Sequence, residues 1–398
     1  MEFDVKIAQV VPYYSPVIGG VEAICQSISE ELVRRGHEVH VLTANRDHKG
    51  ATRRHMECQE IINGVHVFRF RSYASIGHHA LFPGILSVLR AGNYDIIHCH
   101  GYRQPQSEIS ALVGQWLSTP TILHIHGGFY ANTIGKKIYY GLFDQLARIK
   151  ILSRFNHYIT LSKVDKQRLL ELNIKPRAIS IIGNAADPSA FIKVDTSDFI
   201  KKYGLEGKSV ILYLGIMRKH KRPDLLVEAL SKIVKSVPEA FLLLVGPDEG
   251  EWAMMERLGH ELGVSSHFRW IGPLQGPEKH AAIECAAFLA LASDEDPYPI
   301  AVLEALAHGK PILTTHVIGQ AEIITQSRAG LVVAPGDVEA LADAALKLLR
   351  DDKLRAEISE NARHLALKSF SIDSMINEME DLYMQLEKFG FRSSMGAG

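Results

Sequence analysis

Residues 293–311 read SDEDPYPIAVLEALAHGKP and set two carboxylates, Asp296 and Glu304, eight positions apart. Pro-Tyr-Pro and an apolar run lie between them, and Ala-His-Gly follows. This spacing puts the first carboxylate on a loop and the second on the first turn of the next helix. Both can then face one polyhydroxylated ligand. A carboxylate that accepts hydrogen bonds from ribose hydroxyls is a familiar way to hold a nucleotide. An acid near a helix start also interacts with the helix dipole, worth ~0.3–1 kcal/mol, so a purely structural role for Glu304 stays open.

A second candidate is YLGIMRKHKRPDLL, 213–226. Gly215 ends an apolar run, Arg218, Lys219, Lys221 and Arg222 follow, and Pro223 sits where proline favours a helix start. Fixed cations and N–H donors aimed at a departing diphosphate lower a barrier electrostatically. Arginine binds phosphate as a fork and lysine as a point charge. The competing reading is a solvated basic loop. A third candidate is VIGGVE, 17–22, after the first strand. Gly19 and Gly20 would let backbone N–H groups approach a phosphate or sugar at a helix N-terminus, with Glu22 in the first turn. A tight turn needing positive φ is the alternative, and no complete G-x-G-x-x-G is present.

Two His-x-His pairs end apolar runs: His98-Cys99-His100-Gly101 and His124-Ile125-His126-Gly127-Gly128. Residues i and i+2 of a strand face one side, so each pair presents two imidazoles together. Imidazole suits zinc and copper, which leaves a metal reading open, although no nearby carboxylate completes a recognisable set. Core roles are expected for His98 and His124, and His126, beside Gly127 and Gly128, is the functional candidate.

The elements that must position these groups form two series. In the first, strands are predicted at 5–11, 37–44, 65–70, 95–100, 121–126, 157–162 and 178–184, with a helix at 21–36 ending in Gly36, a good C′ residue. In the second, strands are predicted at 209–215, 240–246, 268–272, 286–293, 311–315 and 330–335, and helices at 223–236, 252–263, 302–309 and 338–350. Alternating βα units imply parallel sheets with right-handed crossovers. The pattern breaks at 184–207, taken as the linker. The expected organisation is therefore α/β, two Rossmann-like doubly wound domains at 1–190 and 191–371, then a final helix and tail at 372–398. Ligands of such sheets bind at strand C-terminal ends, where nearly all of these motifs fall.

The bulk numbers agree. At 398 residues the chain exceeds one ordinary core. A net charge of −1 gives no global reason to expect nucleic acid as partner. Cys25, Cys58, Cys99 and Cys285 are scattered, as in a reduced cytosolic chain. The first residues, MEFDVKIAQVV, read as a strand rather than a signal peptide. No run of ~18 apolar residues suggests a membrane span.

Asp296 and Glu304 stand where an "E, seven residues, E" signature would place its acids, with Asp in the first position. On this and the basic turn, the chain resembles retaining glycosyltransferases of the GT-B fold, more narrowly the family-4 group. The resemblance spans nearly the whole chain, is strongest in 209–336 and is looser in 40–120. It implies a cleft between the two domains and a final helix that crosses back to the first. It implies that Glu304 holds the ribose, that Asp296 contacts sugar hydroxyls, and that Pro297, Tyr298, Pro299 and Ile300 offer backbone N–H groups to the diphosphate. Gly215 and Lys221 match the Gly-Arg and following Lys of the family, but Ile216 occupies the arginine position, leaving Arg218 as its candidate replacement. His126 matches the strand-end histidine that contacts the transferred sugar, and the Gly19-Gly20 loop faces donor and acceptor. Gly246 matches a glycine beside the base, Gly319 and Glu322 a loop near the donor, and Ser162 an interdomain serine.

The activity so implied is transfer of a hexose from a UDP- or GDP-linked sugar to an acceptor hydroxyl, with retention, in glycolipid, polysaccharide or glycan biosynthesis. The acceptor would be a sugar or a lipid-linked sugar. The expected catalytic set is His126, Lys221, Asp296 and Arg218, with no metal or other cofactor, because protein cations hold the leaving charge. A GT-B epimerase or phosphorylase and a non-catalytic nucleotide-sugar sensor are the rival readings. The segment 132–155 mixes Lys136, Lys137, Arg148, Lys150 and Arg154 with aromatic and aliphatic residues, so peripheral contact with an anionic membrane face is a further expectation.

Overall fold

The apolar runs form two sheets of mainly parallel strands, each in its own unit. A computed structural model describes residues 4–17, 19–46, 56–76, 79–127, 141, 152–175 and 178–395. One unit comprises Met1–Asn184 with Ile372–Gly398, the other Ala185–Ser371. Gly128 and nearly all of the basic segment 132–155 lie outside the described residues.

The first unit carries β1 (Lys6–Val10), β2 (Glu38–Ala44), β3 (Gln59–Ile62), β4 (Val65–Phe70), the small hairpin β5 (Ala74–Ile76) and β6 (His79–Leu81), then β7 (Ile96–His100), β8 (Thr121–Ile125), β9 (His157–Thr160) and β10 (Ile179–Ile181). Its main sheet runs β10-β9-β8-β7-β1-β2-β4-β3, parallel except for β3 against β4. β7 and β8 are buried along their whole lengths, as strands covered on both faces must be. Helix Gly20–Arg34 follows β1. Gly36 takes φ +101° and its N–H bonds Val33 O, so the expected glycine stop is realised two residues past the helix.

The second unit carries β11 (Ser209–Leu214), β12 (Ala240–Val245), β13 (Phe268–Trp270), β14 (Phe288–Leu291), β15 (Ile312–Thr315) and β16 (Gly330–Val333), ordered β13-β12-β11-β14-β15-β16 and all parallel. Its core includes fully buried Leu212, Leu243, Phe288 and Leu303. Full burial of each such side chain contributes roughly 1.5–3 kcal/mol, which holds the strand ends still.

Three sequence expectations need revision. The supposed linker 184–207 is folded: a 3₁₀ turn at Pro188–Phe191 and helix Ser197–Tyr203 pack Ala190, Phe199 and Leu205 into the second core. Ala186 N also bonds Phe370 O, so the second unit starts at 185 rather than 191. Its polar Asp187 and Asp195 accept hydrogen bonds from Ser189 N and Ser197 N at these turns, which is why the stretch looked like a linker. Helix Ile300–Ala307 begins two residues earlier than the 302–309 reading, because Pro299 supplies its extended N-cap conformation. Strand β3 and helices Pro105–Leu117, Gly276–Cys285 and Asp352–Ser369 were not foreseen.

The chain's last helix, Ile372–Met395, belongs to the first unit, as the resemblance implies. Arg35 fixes it through Glu380 at 2.7 Å and Asn377 at 2.6 Å, and Met375, Ile376, Met379 and Tyr383 are buried.

Candidate active site

In the second unit the strand order reverses between β11 and β14, since the chain moves outward to β13 and returns on the other side of β11. Open α/β sheets bind ligands beyond the strand carboxyl ends at such a reversal. Two loops leave this place. The basic turn follows β11: residues Lys219–Lys221 form a 3₁₀ turn, and Arg222 at φ +47° reverses the chain into helix Pro223–Ile233. The acidic loop follows β14.

These loops touch. Asp294 N donates to His220 O at 2.8 Å. Arg222 bridges Asp224 at 2.8 Å and Asp294 at 3.2 Å. Lys221 Nζ lies 3.0 Å from Asp296 Oδ2, with both side chains mostly buried. A partly buried ammonium beside a buried carboxylate leaves one cation and one anion at the reversal point, each able to meet a ligand of opposite demand. Gly215 lies against them: a Cβ there would sit 3.7 Å from Lys221 Nζ.

Gly246, at the end of β12, meets the Gly215 backbone. Its φ is +139°, and a Cβ would fall 1.9 Å from Gly215 O. Only glycine allows this approach. Trp270 Nε1 donates to Gly246 O at 2.8 Å, bracing the same point from β13.

The 297–300 loop is tied down by 316–320. Asp296 bridges Ile318, Gly319 N donates to Pro297 O at 3.0 Å, and Gln320 Nε2 donates to Pro299 O at 3.2 Å. Tyr298 packs on the core. Pro297 and Pro299 have no N–H, so of the four expected donors only Tyr298 and Ile300 qualify.

Glu304 is buried and accepts a hydrogen bond from Lys279 Nζ. It is the fifth residue of its helix, on the second turn rather than the first, and no acid occupies the first turn. The helix-dipole role considered for it is thereby removed. Lys279 escaped sequence reading because its helix was not recognised and nothing local pairs it with a residue 25 positions away.

Arg218 is half-exposed and grips Glu249 with both Nε and Nη2 at 2.6 and 2.7 Å. Ile216, at the position of the family arginine, accepts a bond from the Tyr213 hydroxyl through its carbonyl. Glu322 is exposed on the first turn of helix Ala321–Gln326 and bonds Gln326.

In the first unit the corresponding reversal lies between β1 and β7. Gly19 caps helix Gly20–Arg34 with extended φ −172°. Neither Gly19 nor Gly20 takes positive φ, so the tight-turn alternative falls. Glu22 is buried in the first turn. His126 follows β8, and Gly127 at φ +80° has open space where a Cβ would stand. His126 Nε2 lies 2.9 Å from His100 Nδ1. Burial pushes the His126 imidazole down to about 3, so it is neutral at pH 7. His98 bonds Tyr383 through Nδ1 at 2.6 Å. His124, expected to be a satisfied core residue, instead has both ring nitrogens buried without a partner. Ser162 caps helix Lys163–Glu171 by accepting from Asp165 N at 3.2 Å.

The two units match two family models, described as Glycosyltransferase Family 4 over residues 18–190 and Glycosyl transferases group 1 over residues 195–365. Among relatives, the chain is 26% identical to the N-acetyl-alpha-D-glucosaminyl L-malate synthase of Bacillus anthracis over 92% of this chain and 94% of that protein. It is 25% identical to the phosphatidyl-myo-inositol mannosyltransferase of Mycolicibacterium smegmatis over 88% and 86%. Its fold is shared with Anabaena HepE in complex with UDP (TM-score 0.76, 19% identity, 96% of this chain and 100% of that one). Sucrose-phosphate synthase from Thermosynechococcus elongatus gives TM-score 0.74 at 20% identity, covering 96% and 99%. Two parallel α/β units with the GT-B architecture, each half matching its own model, make this chain a group 1 glycosyltransferase of the family-4 type.

Proposed function

We propose that the chain transfers a hexose from a UDP- or GDP-linked sugar to a hydroxyl of a sugar or lipid-linked acceptor, with retention at the anomeric carbon. The observation that carries this reading is the junction of the basic turn and the acidic loop, Lys221 on Asp296 and His220 on Asp294, at the β11/β14 reversal. The Ala185–Ser371 unit takes the donor and the other unit the acceptor. The family relationship supports the transfer chemistry, and the UDP bound by HepE supports a nucleotide-linked donor.

In the proposed reaction the bond between the anomeric carbon and the diphosphate oxygen breaks through an oxocarbenium-like state. Lys221 and the N–H groups of Tyr298 and Ile300 hold the charge that develops on the leaving diphosphate. Asp296 exchanges its ammonium partner for sugar hydroxyls. The acceptor oxygen attacks from the face the diphosphate leaves, and its proton passes to a diphosphate oxygen. On the Met1–Asn184 unit the neutral His126 offers a polar edge and not a nucleophile. No metal enters this scheme.

Glu304 would hold the ribose hydroxyls, a ground-state contact as strong in the transition state. Loss of one charge-assisted pair costs about 2.7 kcal/mol, or ~100-fold in kcat/KM, expressed mainly in donor KM. Glu304→Ala, assayed with a small panel of UDP- and GDP-sugars, should show that loss for one donor with the fold intact by circular dichroism. Transfer at near-normal donor KM would remove Glu304 from the donor site.

A further inference from the structure

The four histidines at the ends of β7 and β8 form one cluster that the transfer reaction leaves mostly unused. Register places Gln9 of β1 beside His98 and His100 beside His124, and all five side chains share one face of the sheet. The rings of His98, His100, His124 and His126 lie 4.0–5.4 Å apart by centroid. One ring nitrogen each from His98, His100 and His124 falls within 4.8 Å of the other two.

Their partners have a direction. His100 Nε2 bonds Gln9 Oε1 at 2.7 Å. That oxygen only accepts, so His100 carries its proton on Nε2 and keeps a lone pair on Nδ1. His98 Nδ1 bonds the buried Tyr383 hydroxyl, and His98 Nε2 has no partner. Both ring nitrogens of His124 lack one too, and all three histidines are fully buried. Buried polar atoms are nearly always satisfied. His98, with one nitrogen held by an oxygen and the other without a partner, shows the arrangement that orients imidazole toward a metal, whereas His100 Nδ1 meets His126 Nε2 at 2.9 Å, a contact the ion would replace.

We propose that His98, His100 and His124 bind one divalent transition-metal ion of the zinc class, as a structural site in the Met1–Asn184 unit. Three neutral imidazoles suit zinc, cobalt or copper rather than magnesium or calcium. Three histidines plus a fourth ligand is an established tetrahedral set that needs no carboxylate. Tetrahedral Zn–N bonds of 2.0–2.1 Å draw ligand atoms to about 3.3 Å apart, so binding requires the three rings, which now lie at 15–35° to one another, to turn about their side-chain torsions until their planes converge on the ion. A water molecule completes the set. The ion ties β7 and β8 together and, through Tyr383, the closing helix to the sheet. It takes no part in transfer.

The test uses the full chain, stripped with a chelator and titrated with Co2+ and then Zn2+ alone. One equivalent of Co2+ should bind with tetrahedral absorption bands that Zn2+ abolishes. Zn2+ at about 100 times its Kd should raise the Tm of this unit by roughly 5–10 °C. His98→Gln and His124→Gln should lose bands and shift, while His260→Gln, on an exposed helix position, keeps both. Circular dichroism checks that each variant folds, and the wild-type titration decides even where one does not. Absence of cobalt bands with no zinc-dependent Tm change overturns the proposal, as does unchanged binding in both folded cluster variants. Neither readout involves a sugar donor, so the outcome is separate from that of the transfer reaction.

Discussion

Gly246→Ala perturbs the point where two strand ends meet beside the proposed donor site. The new Cβ would stand 1.9 Å from Gly215 O and 2.6 Å from Gly215 C. Real contacts of that kind do not occur, so one backbone must move. The residue's φ of +139° adds a second cost for any L side chain. Backbone strain of this type costs about 1–3 kcal/mol, and forced overpacking a further 1–3 kcal/mol. Together they give roughly 4 kcal/mol, or about 8–16 °C in Tm for a unit of this size. Gly250→Ala is the control: its φ is +106°, yet nothing lies within 4 Å of its Cβ. It should show the backbone cost alone. Thermal and urea unfolding of both variants measure the difference, expected at about 1–3 kcal/mol. Donor turnover should also fall in Gly246→Ala, because relief of the clash displaces Gly215 and with it the turn bearing Lys221. Equal destabilisation of the two variants, with transfer unchanged in Gly246→Ala, would refute the claim that the close approach positions the basic turn.

Lys221→Ala should lower kcat by about 10²–10³-fold, as loss of a preorganised charge on a leaving group does. Arg218→Ala should cost far less, because its guanidinium is held by Glu249; a larger loss for Arg218 reverses the assignment. Burial raises the Glu108 carboxyl to about 7. Between pH ~4.5 and 7 the folded state therefore holds a proton that the unfolded state has lost, and this residue's contribution to stability falls as pH rises through that window. Glu108→Gln should leave Tm nearly unchanged at pH 4.5 and raise it at pH 8; a constant offset across that range would contradict the burial account.

Much of the organisation could be read from local pattern. Apolar runs such as 240–246 and 209–215 announced buried parallel strands because a strand covered on both faces tolerates few polar residues. Gly36 and Pro223 marked helix ends through their own backbone limits, as observed. The acidic loop, the basic turn and the family resemblance were likewise local. Helix Gly276–Cys285 was missed because its polar and apolar residues show no helical periodicity, and with it went Lys279, the partner of Glu304. The same limit produced the misplaced linker: caps and small residues look alike whether a segment is loose or packed.

Residue types and their spacing determined that two βα units, each with chemistry at strand ends, would form, since hydrophobic period and turn residues act over a few positions. Only tertiary structure decided which groups meet. Lys221 reaches Asp296 because β11 and β14 pair across a reversal in strand order, and four histidines become one cluster because β7 and β8 lie side by side in register. Such contacts join residues 26 to 285 positions apart, a separation that no local pattern encodes and that burial of the shared sheet alone enforces.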